Sequence, residues 1–353
     1  MDIYTLDGLN GAVGIVDNFQ SVIWNQQYFG QSDLQLVAPA TEKNIELLTI
    51  GTMLVRATDI AVGEIRNVMV IESVKMSHEE DKGFLLIITG KGLKHILSRR
   101  IVWSQLTYEN ETVENIIRDV LVKNLINPPD TDRAIPGFTL AAAKGFEETA
   151  DLQLFSENIG EWLENICTEH NYGWDVYIKN SKYVFELYKG TDRTYNSDSP
   201  VVFSPRYDNL FSSTYQNSLE NYANTALVGG EGEGVDKKSA SIGSATGLDR
   251  YEGYIDGSSV SSNNGLIFQE DYAELLKSYG ETEIKQFQKT QVFEGEIEPN
   301  GMFKLNVDYF LGDVVQIENE RGIKATPRIT EIIYSEDENG TKIVPTFSEW
   351  EVN

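Results

Sequence analysis

The sequence is poor in the residues that build disulfides, zinc sites and most acid–base catalysts. A chain of 353 residues holds one cysteine, Cys167, and three histidines, His78, His95 and His170. A single cysteine excludes an intrachain disulfide, so the fold does not depend on an oxidising compartment. The histidines form no His-Glu-x-x-His motif and no pair with zinc spacing.

Long apolar segments are missing as well. No run of about 18 apolar residues occurs, and the N-terminus lacks the basic, apolar and small-residue parts of a signal peptide. We therefore expect a protein without a membrane span that is made and folded in a cytoplasm.

Positive charge is scarce, because 29 Lys and Arg residues face 55 Asp and Glu residues, for a net charge of −26. Nucleic-acid binding requires clustered cations that release counterions, and adhesion to anionic lipid requires them too. The composition argues against both partners. The hydrophobic content of 41% is enough for packed cores, and the length predicts two to four domains.

Residues 1–105 are rich in short strand-like runs. Ile3–Leu6 and Ala12–Ile15 flank a turn of Asp, Gly and Asn, which predicts a hairpin. In a later run that ends at Pro39, the apolar residues Leu34 and Leu36 fall on one face of the predicted strand. A short helix near Gly92–Ser98 closes the segment. Many short strands at this spacing predict a barrel or sandwich.

Residues 106–200 predict a small α+β domain. The first helix has apolar residues at i, i+3, i+4, i+7, i+8 and i+12, begins after Asn110 or Thr112, and ends before Pro128. A second apolar stripe covers Ile159–Cys167, and two strands follow it.

Residues 201–292 predict strands, a flexible loop and a helix. The segment from Gly229 to about Asn264 is loaded with Gly, Ser and Asp, which is typical of a mobile loop or a long hairpin tip. A helix is predicted from about Glu270 to Gln288.

Residues 293–353 predict the strands of a last β-module. The spacing indicates a three-stranded meander of Val314–Glu318, Arg328–Tyr334 and Thr341–Phe347, with a turn at Asn339-Gly340 between the last two.

Three groups of residues have part of the pattern of a chemical site. Cys167 and His170 could share a face of a helix, but both continue an apolar stripe and a packed pair is expected. The motif Gly230-x-Gly232-x-Gly234 carries two glutamates that would repel a phosphate. Asp130 and Asp132 are two of the six to eight oxygen ligands that calcium requires. We predict no catalytic, cofactor-binding or metal-binding residues, and no cofactor.

One basic cluster stands out, and two explanations remain open for it. Its cations can stabilise the short helix by interacting with the negative end of the helix dipole. Alternatively, they can contact an acidic patch of a neighbouring subunit. Its members are Lys91, Lys94, His95, Arg99 and Arg100.

Three stretches make the chain similar to the tail hub, or baseplate hub, proteins of phages and prophages. The likeness is to the N-terminal hub part of tail-associated lysins in phages that infect Gram-positive bacteria. The stretches are Ile23–Tyr28 with Ser32–Leu36 and Pro39, Ile87–Leu93 with Ile96–Val102, and Asp308–Val315 through to Pro345–Phe347.

This resemblance implies a mixed, β-rich α+β fold in which two tail-tube-like β-barrel modules flank a small α+β domain. It assigns 1–105 to the first barrel, 106–200 to the α+β domain, and 293–353 to strands completing the second barrel. It implies a homotrimeric ring between a sixfold tail tube and a threefold spike or fibre. The expected partners are a distal tail or tail-tube protein and a spike, fibre or lysin protein.

The resemblance also implies a non-enzymatic component of the virion, without sequence-specific nucleic-acid binding or stable membrane insertion. Many relatives continue into a peptidoglycan hydrolase, whereas this chain ends at Asn353, so their lytic activity is not carried over. The alternative is a tail protein that binds or degrades cell-wall carbohydrate, for which the aromatic and acidic residues are suited. A secretion-system spike component is a third possibility.

Overall fold

The fold is seen in a computed structural model that describes residues 1–9, 11–79, 83–262, 269–297, 301–319 and 324–348. It forms two compact units. The first comprises residues 1–213 and 294–353, and the second residues 214–293. No helix among the described residues is long and apolar enough to cross a membrane.

Most of the regular structure is β. The strands are β1 (Ile3–Leu6), β2 (Ala12–Val16), β3 (Ser21–Gln27), β4 (Asp33–Pro39), β5 (Met53–Arg56), β6 (Ile60–Ala61), β7 (Glu64–Ile65), β8 (Met69–Glu79), β9 (Gly83–Gly92), β10 (Leu106–Thr112), β11 (Phe138–Leu140), β12 (Thr149–Leu154), β13 (Gly173–Lys179), β14 (Lys182–Tyr188), β15 (Asp192–Arg193), β16 (Val202–Phe203), β17 (Leu210–Ser218), β18 (Thr225–Gly229), β19 (Ser239–Ile242), β20 (Glu252–Asp256), β21 (Thr290–Ile297), β22 (Val314–Glu318), β23 (Lys324–Ala325), β24 (Ile329–Asp337) and β25 (Gly340–Phe347).

Helices connect and cover these strands. The α-helices are α1 (Glu42–Leu47), α2 (Val113–Leu121), α3 (Ile159–Glu169) and α4 (Gln269–Glu283). A π-helical turn, Val122–Ile126, prolongs α2. The 3₁₀ segments are Ala57–Asp59, Leu93–Arg99, Thr131–Arg133, Pro205–Tyr207, Gly234–Asp236, Gly247–Asp249 and Ile284–Phe287.

A large sheet dominates the first unit and takes strands from both ends of the chain. Nine of its strands follow the order β25-β24-β3-β4-β9-β8-β5-β1-β2. The predicted hairpin of β1 and β2 is confirmed. The antiparallel pairing of β24 with β3, which sets Tyr334 opposite Trp24, joins the two segments predicted as separate modules.

One face of this sheet is apolar, because side chains alternate between the two faces of a strand. In β4 the residues Leu34, Leu36 and Ala38 are buried while the residues between them are not. Val22 and Trp24 of β3 join them in the same core. The alternation predicted for the run that ends at Pro39 is therefore confirmed.

The predicted α+β segment forms a second core in the same unit. A five-stranded sheet of order β11-β14-β13-β7-β6 borrows its last two strands from residues 60–65, and β10 pairs with β12. The apolar stripes of α2 and α3 pack into this core. The predicted cap of α2 is Thr112, whose hydroxyl accepts the Asn115 N–H.

The predicted C-terminal meander is wrong in one strand. β24 and β25 do form an antiparallel hairpin. However, β22 pairs in parallel with β15 and β16 and antiparallel with β23. The reason is the turn before β22, where Gly312 has a φ of +95° and the following Asp313 is bound to the start of β15.

The second unit is an α/β module, and it corrects the prediction of a loop from Gly229 onward. β18 pairs antiparallel with β19 and in parallel with β20, and the apolar side of α4 packs on this sheet. Ser and Gly are weak strand formers, so composition concealed the two strands. The part of the predicted loop from Asn263 onward lies outside the described residues.

The compact units do not follow the four predicted segments one for one. The first unit contains the predicted first barrel, the α+β domain and the C-terminal strands together. Two closed barrels remain a prediction.

Candidate functional site

A turn in the C-terminal segment forms the centre of the candidate site. It consists of residues 310–313, called here the Gly312 corner. The Gly312 N–H donates to the Ile329 carbonyl at 2.8 Å. Gly312 has positive φ, and a Cβ at this position would overlap the ring of Tyr28. Only glycine meets both conditions without strain.

The carboxylate of Asp313 fixes the corner to the α+β segment. Asp313 is buried, and its oxygens accept the Thr191 N–H at 2.7 Å, the Phe310 N–H at 3.0 Å and the Arg193 Nε–H at 2.6 Å. Backbone approach is equally close, because a Cβ at Gly190 would overlap the Gly312 carbonyl. Charge-assisted bonds of this kind are the strong ones in proteins.

Tyr28 brings the N-terminal segment to the same point. Its hydroxyl accepts the Gly190 N–H at 3.2 Å and donates to the Asn171 carbonyl at 3.2 Å. Burial raises the pKa of Tyr28. Arg328 lies over its ring and donates to the Gly312 carbonyl at 2.6 Å. Segments distant in sequence therefore meet at one aromatic ring.

The Gly312 corner forms one wall of the site, and a network of charged side chains forms the other. Arg66 donates to Glu64 at 2.5 Å and to Glu186 at 3.0 Å, and its guanidinium lies 3.8 Å from the centre of the Tyr177 ring. Of the three carboxylates around Arg66, Asp175 is the most distant, with Oδ2 lying 3.8 Å from Nη1 of Arg66. Burial raises the pKa of Asp175 despite the nearby cations.

The two walls enclose a cleft of about 370 Å³. The side chains that line it connect segments of the chain to one another. Its charged side chains are paired within the cleft. Arg66 forms an ion pair with Glu186, and Arg193 forms one with Asp313. Within the described part of the chain, no His or Cys lines it and no group of carboxylates, His or Cys has metal-binding geometry. The arrangement can hold three segments together.

The predicted basic cluster is divided between two places. Lys94 is buried, donates to the Gln27 carbonyl at 2.7 Å and lies 4.7 Å from the centre of the Trp174 ring. Burial lowers its pKa to about 8. His95 and Arg99 instead approach Glu72, at 3.3 and 3.6 Å. Lys94 therefore belongs to the packing between the two cores, which sequence reasoning missed.

The other predicted candidates have local structural roles. Cys167 is buried, and burial raises the pKa of its thiol. His170 caps the end of α3 and stacks on Tyr172. Asp130 accepts the Asp132 N–H in a tight turn.

The fold as a whole is that of phage and prophage tail proteins. A tail protein from Neisseria meningitidis superposes with a TM-score of 0.60 at 14% identity, covering 99% of this chain and 96% of that one. The 43 kDa tail protein of prophage MuSo2 from Shewanella oneidensis gives 0.56 at 13% identity, covering 99% and 98%. Prophage tail protein gp18 from Listeria monocytogenes gives 0.50 at 13% identity, covering 98% and 94%.

The family follows from the sequence match. Residues 1–347 match the model of the siphovirus ReqiPepy6 Gp37-like proteins, and the chain belongs to this family. No curated protein matches the sequence significantly. The predicted resemblance to phage tail proteins is thereby confirmed.

The residues that hold the Gly312 corner were only partly foreseen. Residues 311–313 and Tyr28 both lie in stretches that carry the resemblance to tail proteins. Arg193 was missed. The turn signal Gly190-Thr191-Asp192 directly after β14 was the one hint of a close backbone approach there.

Proposed function

We propose that the protein is a structural hub at the tip of a phage or phage-like tail. The observation that carries this proposal is the fold likeness to tail proteins, which extends over nearly the full length of both chains. A likeness confined to one segment would fit many functions, because folds are reused.

The proposed assembly is a homotrimer in which each subunit supplies two β-barrel modules. Three chains then present six barrels to the sixfold tail tube and a threefold face to a spike or fibre. The pairing of β24 with β3 would hold the N- and C-terminal strands of each subunit together in such a ring. A closed ring built from one repeated contact is a common result of symmetric assembly.

We further propose that the protein acts without catalysis and as part of the virion. The charged side chains of the cleft bind each other, which suits a junction under mechanical load better than a reaction centre. Its partners on this view are a tail-tube or distal tail protein above and a spike, fibre or lysin protein below.

Labelling of intact particles tests this function. A gold-conjugated antibody against the chain should bind where the tail tube meets the tip. Label along the tube, label on the capsid, or absence of the chain from purified particles would contradict the proposal.

Zymography on bacterial cell walls tests the carbohydrate alternative. A hub without enzymatic activity leaves the wall substrate intact at every protein concentration. A zone of clearing that disappears on heat denaturation would instead favour a glycan-degrading protein.

A further inference from the structure

An exposed apolar surface in the α+β segment is not used by the junction. Ile101, Trp103 and Phe155 are all exposed, and 60% of the Trp103 side chain is accessible. Arg99, Arg100 and Arg133 adjoin this surface in a shallow cleft of about 350 Å³ with Ile101 and Trp103. These residues are called here the Trp103 patch. Trp and Arg are the residue types most enriched among binding hot spots.

The tryptophan is already held in position. The Arg133 guanidinium lies 4.9 Å from the centre of the Trp103 ring and donates to the Ile101 carbonyl at 2.8 Å. The backbone N–H of Trp103 donates to Oδ1 of the buried Asn124 at 3.2 Å, which fixes the main chain that carries the ring. A side chain fixed before binding loses little entropy when a partner covers it.

The backbone of the patch is occupied, so recognition there depends on side chains. The Val102 N–H donates to the Glu157 carbonyl and the Val102 carbonyl accepts the Ser156 N–H, both at 2.9 Å. The other side of this segment is covered by Arg133 and Asn124. Addition of a partner strand at this point is therefore excluded.

Two of the arginines, Arg100 and Arg133, form no ion pair within the described residues, although the charge of Asp130 acts on Arg133. Arg100 donates to the carbonyls of Arg99 and Arg133, and Arg133 donates to Ile101 and Asn124. Asp130 and Asp132 line the same cleft but form no ion pair with either guanidinium. A guanidinium bound only to neutral oxygens can still donate to a carboxylate of a partner.

We propose that the Trp103 patch binds a carboxylate-rich surface on a second copy of this chain. Each copy carries a net charge of −26, so contact between copies needs cations at the interface to offset their repulsion. The patch supplies both these cations and an aromatic anchor. A contact between two different surfaces of identical chains is the kind that closes a ring. This inference rests on the proposed hub assembly and assigns one of its interfaces.

Sedimentation velocity over a concentration series tests the patch with the full chain. Trp103→Ala and Arg100→Glu should each weaken self-association at least about 30-fold, as expected for hot-spot residues. Leu248→Ala and Lys182→Glu are controls that truncate or reverse exposed side chains outside the patch, and they should change the self-association constant less than about threefold. Both Trp103→Ala and Arg100→Glu should leave the circular dichroism melting curve unchanged.

A photo-crosslinking amino acid at position 103 identifies the occupant directly. The expected product has twice the mass of the chain, and its cross-linked peptide contains Asp or Glu. The proposal is overturned if the wild type stays monomeric at every concentration, if the patch variants associate like the controls, or if no cross-linked dimer forms. Gold labelling at the tail tip is independent of these results, so the patch can fail while the hub function stands.

Discussion

At the scale of single residues, Gly312 carries two constraints at once. Its φ of +95° disfavours any side chain, and Tyr28 occupies the place of a Cβ. Gly340 in the β24–β25 turn has a φ of +116° but open space around it. An alanine at Gly340 therefore introduces backbone strain alone, whereas an alanine at Gly312 introduces both backbone strain and steric overlap.

We predict that Gly312→Ala lowers the free energy of unfolding by at least about 2 kcal/mol more than Gly340→Ala does, because overpacking adds to strain. Denaturant unfolding of the two variants measures this difference. Equal losses would show that Tyr28 moves aside and that the corner is not close-packed.

Asp313 is the residue whose charge secures the corner. Asp313→Asn should destabilise the protein by about 3 kcal/mol, since it leaves Arg193 without its carboxylate in a largely buried place. Asp308→Asn is the control, because the Asp308 carboxylate accepts the Lys304 N–H in an exposed turn. A double-mutant cycle with Arg193→Gln should show coupling above about 1 kcal/mol, and a coupling near zero would contradict the account.

Lys94 makes stability depend on pH in a defined direction. Burial lowers its pKa to about 8 from an ordinary value of 10.5. Between these values the unfolded chain binds more protons than the folded one, so this group makes stability rise with pH there. Relative to Lys94→Met, the wild type should gain on the order of 2 kcal/mol between pH 8 and pH 10. A difference that stays constant with pH would show that Lys94 remains charged in the folded protein up to its ordinary pKa, as a well-solvated lysine does.

At the scale of elements, Glu114 in α2 organises a loop that has no regular structure of its own. The buried carboxylate accepts the backbone N–H groups of Lys144, Gly145 and Phe146 at 2.7 to 3.0 Å. The helix thereby holds a segment that follows it by about 30 residues.

We predict that Glu114→Gln accelerates hydrogen exchange of these three amides at least about tenfold, because bonds to a charged acceptor are worth more than neutral ones. Glu109→Gln on the exposed side of β10 is the control and should leave the loop unchanged. Unaltered exchange in Glu114→Gln would mean that other contacts order the loop.

Local patterns predicted the elements better than their partners. The stripe of α2, its Thr112 cap and the Pro128 stop are all read within one stretch of sequence, and the helix forms there. β22 was placed correctly along the chain, yet it pairs with β15 and β16, more than 100 residues earlier. The sequence near β22 carries no pattern that identifies these parallel partners. Their pairing depends on the contact between Asp313 of the Gly312 corner and Arg193. The sequence does not predict β19 and β20, because burial against α4 overrides the serines of β19 and the Gly and Asp of β20.

At the scale of the whole molecule, the charge of −26 disfavours binding to DNA, which would pass through the ring that we propose. A ring through which DNA slides should not bind it, and carboxylates repel phosphate over about a Debye length. We predict no saturable binding of duplex DNA in fluorescence anisotropy even at about 10 mM salt, where attraction to cations is strongest. Binding that weakens steeply with added salt would instead reveal a basic surface on the assembled ring.

The most direct test of the hub account is cryo-electron microscopy of intact tails that contain the chain. The account predicts density for three copies around a threefold axis at the end of the tube. Six equivalent copies, a single copy, or a position away from the tube end would contradict it.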